Sequence, residues 1–169
     1  MRLSVSLAAV AATLVAATPA VAQQATATAT AKGVVLQSLT LVRTADLDFG
    51  TVAPDVANPG TVTIDADTGA RSTGGAVVAL PGTFSRASFD GNGTAGNLVQ
   101  LTLGQPAGAV ITSGTNTVGA VLNLDSAGTS RTIPAGGTFT VYVGGAFSIA
   151  ANQASGLYSA TFDLTADYQ

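Results

Sequence analysis

Aspartate is the only acidic residue type in this sequence of 169 residues, and two pairs of aspartates are the first candidates for chemistry. One pair is Asp46 with Asp48, and the other is Asp65 with Asp67. Partners two positions apart on a strand lie on one face, about 7 Å from each other. Glycosidases use two carboxylates at similar separations, but these come from separate elements and flank the scissile bond from opposite sides. These aspartates stand at the ends of apolar runs, where aspartate commonly caps turns, so we expect no catalytic residue.

The rest of the composition points away from an enzyme. Without His or Cys, the chain lacks the common general base, the thiol nucleophile and the soft metal ligands. Asp65, Asp67 and Asp90 carry hard oxygen ligands, but isolated Asp-Gly loops fall short of the about six to eight ligands that calcium takes. The net charge of −3 argues against nucleic acid. We expect no catalytic, cofactor-binding or metal-binding residues. Five scattered basic residues are interpreted as solvating charges: Lys32, Arg43, Arg71, Arg86 and Arg131.

The letters G-x-G-x-x-G occur between Gly91 and Gly96. In dinucleotide-binding folds these glycines lead from a strand into a helix whose N-terminus holds the pyrophosphate. Here the following residues, Asn97 to Leu103, have the composition of a strand, so we reject nucleotide binding. The dipeptide Asn92-Gly93 is favoured in tight hairpin turns, and we expect a hairpin connection at this point.

Residues 1–22 have the pattern of a secretory signal peptide. Arg2 supplies a positive charge, and a short apolar run extends from Leu7 to Ala17. Ala20 and Ala22 are the small residues that precede a cleavage site. The apolar run is shorter than the about 20 residues that a membrane span needs. We expect cleavage after Ala22 and an exported chain without a membrane span, in the periplasm in transit and then at the cell surface or outside the cell.

Residues 23–36 follow the predicted cleavage site and alternate between small and polar side chains. Alternation with a period of two indicates a strand, but an alanine methyl group buries little area. Such a segment needs a groove or a partner to stay in a sheet, or else it stays disordered. We treat residues 23–36 as an N-terminal extension and as a candidate donor strand.

Residues 37–169 are typical of one all-β domain. Short runs of branched apolar residues recur at spacings of about ten residues and are separated by Gly, Pro, Asn and Asp turns. This pattern indicates an antiparallel sandwich or barrel, and we predict a sandwich because Ala- and Gly-rich strands suit two closely packed sheets. The predicted strands are Val34–Val42, Leu47–Val52, Thr61–Ile64, Ala76–Leu80, Thr83–Phe89, Leu98–Leu103, Val118–Leu124, Phe139–Val143, Phe147–Ala151 and Leu157–Tyr168.

The last predicted strand, Leu157–Tyr168, has the clearest pattern. Its residues alternate between an apolar and a polar face, so we expect one buried face and one solvent-exposed face. An unpaired edge on a strand of this length recruits another chain. The apolar positions are Tyr158, Ala160, Phe162, Leu164, Ala166 and Tyr168.

Two stretches, LTLVRTADLDFGTV and VYVGGAFSIAANQASGLYSATFDLTADYQ, resemble a family of small exported proteins of Gram-negative bacteria whose function is undefined. Its members share an Asp-x-x-Phe-Gly-like element, which here spans residues 46–50. They also share an Asn-Gln-x-x-Gly-x-Tyr ending, which stands here as Asn152, Gln153, Gly156 and Tyr158. The resemblance covers essentially the whole chain after the predicted signal peptide.

That ending is similar to the ending of chaperone–usher pilins, which carry a Gly fourteen residues from the end and a penultimate Tyr, matched here by Gly156 and Tyr168. The resemblance implies an immunoglobulin-like fold that lacks one strand, with the gap filled by the N-terminal extension of the next subunit. It also implies that a periplasmic chaperone pairs with the last strand. The implied assembly strand carries Gly156, Tyr158, Phe162, Leu164 and Tyr168. The implied inward face of the donor strand carries Ala25, Ala27, Ala29, Ala31, Gly33 and Val35.

We therefore expect an exported, pilin-like structural subunit that assembles by donor-strand addition on the bacterial cell surface. Its expected partners are copies of itself or related subunits, together with a periplasmic chaperone and an outer-membrane usher. A second hypothesis stays open, namely a self-complete secreted β-sandwich module that binds carbohydrate or a surface partner. In that case the last strand pairs within its own domain, and residues 23–33 are a floppy tail.

Overall fold

The computed structural model describes residues 23–104 and 107–169, with side chains described throughout except at 107–109. The predicted signal peptide, residues 1–22, lies outside the described residues. Residues 23–34 belong to a unit separate from the domain that begins at Val35, and they are exposed and form neither helix nor strand. Over the described ranges, no helix has the length and apolar character needed to cross a membrane.

Twelve β-strands form in the described part of the chain, and all their pairings are antiparallel. The all-β, antiparallel class predicted from the sequence is therefore confirmed. The strands are β1 (Thr40–Ala45), β2 (Val52–Ala53), β3 (Gly60–Ile64), β4 (Arg71–Gly75), β5 (Val78–Ala79), β6 (Ala87–Asn92), β7 (Leu98–Leu103), β8 (Ala107–Ser113), β9 (Asn116–Leu124), β10 (Ser130–Thr132), β11 (Thr138–Ile149) and β12 (Leu164–Tyr168).

The strands form three sheets. Seven strands form the largest sheet, with β1, β6, β11, β3 and β4 in that order and with β9 and β8 continuing from β11. This sheet curves into a half-barrel. β10, β7 and β12 form a second sheet in that order, and the short strands β2 and β5 pair with each other. The first and last long strands, β1 and β12, are therefore edge strands of different sheets.

β11 organises the largest sheet because it pairs with three strands. It pairs with β6 through its first half, with β3 through its second half, and with β9 across its middle. The partner changes at Gly144 and Gly145, where a Cβ atom would overlap the carbonyl oxygens of Ile64 and Val121 respectively. Glycine at these two positions lets the neighbouring backbones approach the centre of β11 closely.

The core consists of two separate clusters of buried side chains. In the first cluster, Leu101 from the three-stranded sheet packs with Val141 from the largest sheet, so these two sheets pack against each other. The second cluster includes Val62 from β3 and Phe147 from β11. β11 thus contributes to both clusters.

Several predictions about strands are wrong. Val34–Val42 is a strand only from Thr40, and Leu47–Val52 has an isolated bridge at Asp48 before the short strand β2. Phe139–Val143 and the first three residues of Phe147–Ala151 belong to the single strand β11, because the glycines between them continue the pairing instead of forming a turn, and β11 ends at Ile149. The hairpin expected at Asn92-Gly93 does not form, since β6 and β7 lie in different sheets and the chain crosses between the sheets there. Gly93 has no positive φ, and glycine is required because a Cβ atom would overlap the Tyr168 hydroxyl.

The last strand is shorter than predicted. It is regular only from Leu164 to Tyr168, and residues 157–163 precede it with a single isolated bridge between Ser159 and Thr112. From Phe162 to Tyr168 the alternating pattern matches the half-buried positions, whereas Ala160, also expected on the buried face, is exposed. The pattern does not report whether a neighbouring strand pairs with the segment continuously.

Candidate functional site

A groove with a volume of about 730 Å³ runs between the segment that follows β1 and the segment that precedes β12. Residues 46–54 contribute its first wall, and residues 153–162 contribute its second wall. Leu122 belongs to the first core cluster and Phe147 to the second, so the groove lies where the core is divided. The floor is apolar and consists of Ile111, Ala120, Leu122, Phe147 and Ile149.

The first wall contains the Asp-x-x-Phe-Gly-like element. The backbone of Asp48 forms a bridge to Ser85 through two hydrogen bonds of 2.8 and 2.9 Å, and its carboxylate accepts a hydrogen bond of 2.8 Å from the Gly50 N–H. Gly50 has a φ of +75°, a conformation that favours glycine. The carbonyl of Phe49 accepts a hydrogen bond of 3.3 Å from Arg71. Each of these contacts fixes the backbone of the wall.

The Asn-Gln-x-x-Gly-x-Tyr element begins at Asn152, directly before the second wall, and continues into it. Asn152 has a φ of 53°, and asparagine is one of the few residue types that tolerate this left-handed conformation. Its N–H donates a hydrogen bond of 2.8 Å to the Asp55 carbonyl. At Gly156 a Cβ atom would overlap the Ser113 hydroxyl, so glycine permits the close approach of the wall to β8. Both residues therefore shape the path of the chain.

Tyr158 connects the second wall to the floor. Its hydroxyl donates a hydrogen bond of 2.8 Å to the Ala154 carbonyl and accepts one of 2.8 Å from the Gln153 side chain. Its ring centroid lies 6.4 Å from that of Phe147. Phe147 also stacks on Phe49 of the first wall, with centroids 5.4 Å apart. The two sequence elements that carry the family resemblance thus meet on one floor residue.

The apolar residues at the end of the second wall and in β12 are half-buried against the first core cluster, namely Phe162, Leu164, Ala166 and Tyr168. On the side of β7, the Asp163 carbonyl accepts a hydrogen bond from the Gly104 N–H, and the Gln169 N–H donates one to the Leu98 carbonyl. Because alternate residues of a strand direct their backbone groups to opposite neighbours, the even-numbered residues of β12 direct theirs to the other edge. In the part of the chain that the structure describes, no strand pairs with that edge.

The structure brings the predicted residues of the assembly strand together along the groove and β12, but it does not place the donor-face positions in a site. Those positions are exposed and lie in a segment without strand structure. They are Ala25, Ala27, Ala29, Ala31, Gly33 and Val35.

The aspartates considered for chemistry form hydrogen bonds within the fold. Asp65 accepts a hydrogen bond of 2.7 Å from the Thr68 N–H and one of 2.8 Å from its hydroxyl, and these bonds lower the pKa of Asp65. Asp67 accepts a backbone N–H from another loop at 2.8 Å, and Asp90 accepts the Thr140 hydroxyl at 2.9 Å. Within the described ranges, no group of three or more His, Cys, Asp or Glu side chains is arranged to hold a metal ion.

Three of the five basic residues have structural roles, so the interpretation of all five as solvating charges is wrong. Arg131 forms an ion pair of 2.5 Å with the buried Asp125. The guanidinium of Arg86 lies 3.4 Å from the centroid of the Tyr142 ring, and Arg71 binds the first wall. The number of charged residues can be read from the sequence, but the carbonyl groups and aromatic rings that surround each of them cannot. One feature of the sequence indicates the ion pair of Arg131, namely that Asp125 directly follows an apolar strand, where a carboxylate close to the core needs a partner.

The fold and the groove define an all-β domain with antiparallel sheets and an apolar cleft between its first and last segments. Residues 39–168 match the model of a family described as a domain of unknown function (DUF4402), and the chain belongs to this family. The matched range includes both walls and the floor of the groove. No curated protein and no solved structure matches the chain.

Proposed function

We propose that the protein is an exported, pilin-like structural subunit without enzymatic activity, and that its groove accepts an extended strand from another copy. In this proposal the domain is an immunoglobulin-like sandwich that lacks one strand. Residues 23–36 of a neighbouring copy supply that strand. The observation that carries the proposal is the apolar groove of about 730 Å³ between the first and last segments.

The division of the core supports this role. The groove floor joins Leu122 of one core cluster to Phe147 and Ile149 of the other. A strand seated over these residues would place every second side chain on the floor, because side chains alternate between the two faces of a strand. Burial of apolar surface contributes about 25 cal/mol per Å², so a seated strand would stabilise both clusters together.

The open edge of β12 supports the same role. A strand added to a sheet edge gains main-chain hydrogen bonds from the edge and specificity from pockets for alternate side chains. Each such hydrogen bond contributes about 0.5–1.5 kcal/mol net. Several bonds along β12 and the second wall would therefore hold a donor strand even where its side chains are small.

The donor segment has the complementary properties. Residues 23–36 are exposed and alternate between small and polar side chains. A strand donated to the next molecule makes a head-to-tail contact that does not close, so repeated donation yields a filament. The proposal includes export through the periplasm to the cell surface. It also includes a periplasmic chaperone and an outer-membrane usher as assembly partners.

The test compares the exported chain with two variants. One lacks residues 23–36, and the other replaces them with a Gly/Ser segment of equal length. We expect oligomers or filaments of the intact chain by size-exclusion chromatography and electron microscopy, and monomers of both variants. Lys32, the basic residue of the donor segment, gives a second readout, since a seated strand resists trypsin and a free tail is cleaved.

Identical monomers for all three chains would contradict strand donation. Monomers of the intact chain that bind glycans or another surface component would instead support the self-complete binding module. Retention of oligomers by the Gly/Ser variant would show that residues 23–36 are not the donor.

A further inference from the structure

The first wall of the groove rests on one arginine side chain. Arg71, the first residue of β4, donates a hydrogen bond of 3.3 Å to the Phe49 carbonyl and one of 2.8 Å to the Leu80 carbonyl. Its guanidinium carbon lies 4.6 Å from the centroid of the Phe84 ring. Arg71 therefore joins the wall, the segment after β5 and an aromatic side chain through one planar group.

Gly50 shows how closely the wall follows this guanidinium. A Cβ atom at Gly50 would overlap Nη1 of Arg71, and the φ of +75° further disfavours a side chain there. The adjacent ring of Phe49 stacks on Phe147 of the floor. The same residue thus gives its carbonyl to Arg71 and its ring to the groove.

We propose that Arg71 is a positioning residue, which holds the first wall in its open position before a strand enters. The effect of Arg71 on strand entry rests on the proposed function, whereas its effect on the position of the wall does not. Between β1 and β2 the wall has a single backbone bridge, at Asp48 and Ser85. The Ser85 hydroxyl also donates a hydrogen bond of 2.8 Å to the Asp46 carbonyl, and the Leu80 N–H donates one of 3.0 Å to the Thr51 carbonyl. Arg71 adds a charged donor from β4 between these two attachments, and a hydrogen bond from a charged donor is stronger than one from a neutral donor.

Arg86 provides a matched control. Its guanidinium also donates to two carbonyls, those of Ala66 and Asp67, and lies over a ring, that of Tyr142. None of these residues lines the groove. Arg71 and Arg86 therefore make the same kinds of contact, one at the groove and one away from it.

The parent chain of this experiment is the exported chain with residues 23–36 replaced by the Gly/Ser segment, which leaves the groove free. It is compared with its Arg71→Ala, Arg71→Lys and Arg86→Ala variants. Amide hydrogen exchange of residues 49–52 reports on the wall, a labelled peptide of residues 23–36 reports on strand acceptance, and thermal unfolding reports on stability. We expect Arg71→Ala to accelerate exchange in the wall and to weaken peptide binding, each by about tenfold or more. Arg71→Lys should restore part of both. Arg86→Ala should lower the unfolding temperature with the wall unchanged.

Gly50→Ala is a second variant, which retains Arg71 but places a methyl group where its guanidinium lies. We expect it to loosen the wall as Arg71→Ala does. Equal exchange of residues 49–52 in the parent chain, Arg71→Ala and Gly50→Ala would overturn the inference. If the parent chain binds no peptide while Arg71→Ala still loosens the wall, the proposed function fails and the positioning role of Arg71 stands.

Discussion

The hydroxyl of Tyr168 donates a hydrogen bond of 2.8 Å to the carbonyl of Gln37, which joins the last strand to the residues that precede the first strand. The same hydroxyl accepts a hydrogen bond of 2.7 Å from the Thr94 N–H. Gln37 in turn donates to the Thr94 hydroxyl and to the Asn92 side chain. These bonds close the gap between β1 and β12 at the end far from the groove.

Removal of this hydroxyl should destabilise the domain. In Tyr168→Phe the Thr94 N–H loses its acceptor, and we expect a loss of about 1–3 kcal/mol in the free energy of unfolding by urea. Tyr142→Phe is the control, because among the described residues the Tyr142 hydroxyl makes no hydrogen bond to another protein group. Equal stability of Tyr168→Phe and the parent chain would contradict a closing role.

Larger apolar side chains on the donor face should strengthen assembly. Ala29→Val adds two methyl groups toward the groove floor, which at about 0.8 kcal/mol per CH₂ corresponds to about fifteenfold tighter binding of the labelled peptide of residues 23–36. Thr28→Val replaces a hydroxyl with a methyl group on the opposite face and should leave the affinity within about twofold of the parent value. A greater gain from Thr28→Val would show that the strand is seated with the other face inward.

The buried ion pair should matter far more than the exposed one. In the pair of Asp125 with Arg131 the side chains are 7% and 10% exposed, and the Asp125 carboxylate also accepts the Tyr142 N–H at 2.8 Å. Arg131→Ala leaves a buried charge without its partner, and we expect a loss of about 3–5 kcal/mol in unfolding free energy. Arg43→Ala removes the exposed pair with Asp46 and should change stability by less than about 1 kcal/mol.

Stability should fall in acid through two loops, the one between β2 and β3 and the one between β3 and β4. Hydrogen bonds from Thr68 hold the pKa of Asp65 below its ordinary value of 3.8, and those from Ala57 and Asn58 similarly lower that of Asp55. A lowered folded pKa gives stability that is present above the unfolded value and is lost as the pH falls through the folded value.

This prediction is checked by urea midpoints measured from about pH 5 down to about pH 2. Asp65→Asn removes the titrating group and should reduce the fall in the midpoint over this range. Asp163→Asn is the control, since the Asp163 side chain accepts no hydrogen bond within the described structure. Parallel pH profiles for Asp65→Asn and the parent chain would contradict the assignment.

Features that depend on neighbours in sequence were predicted well. The alternation of Phe162, Leu164, Ala166 and Tyr168 is present as half-buried positions, because a period of two follows from strand geometry alone. The turn after β3 forms at Asp65, since its carboxylate bonds to N–H groups two and three residues later.

Features that depend on distant partners were missed. β4 contains no large apolar residue and ends in Gly74 and Gly75, so its strand structure comes from pairing with β3 and not from its own composition. The role of Arg71 depends on carbonyl groups at Phe49 and Leu80, which are distant in the sequence. The floor of the groove likewise combines β8, β9 and β11 and has no signature in any one of them.

The paired glycines of β11 tie the two core clusters together. Gly144 and Gly145 lie between the half of β11 that packs in the first core cluster and the half that packs in the second. Carbonyl oxygens of Ile64 and Val121 occupy the space that a Cβ atom would need at these positions. A side chain at either position would push β3 or β9 away from β11, so a single substitution would disturb the packing of both clusters at once.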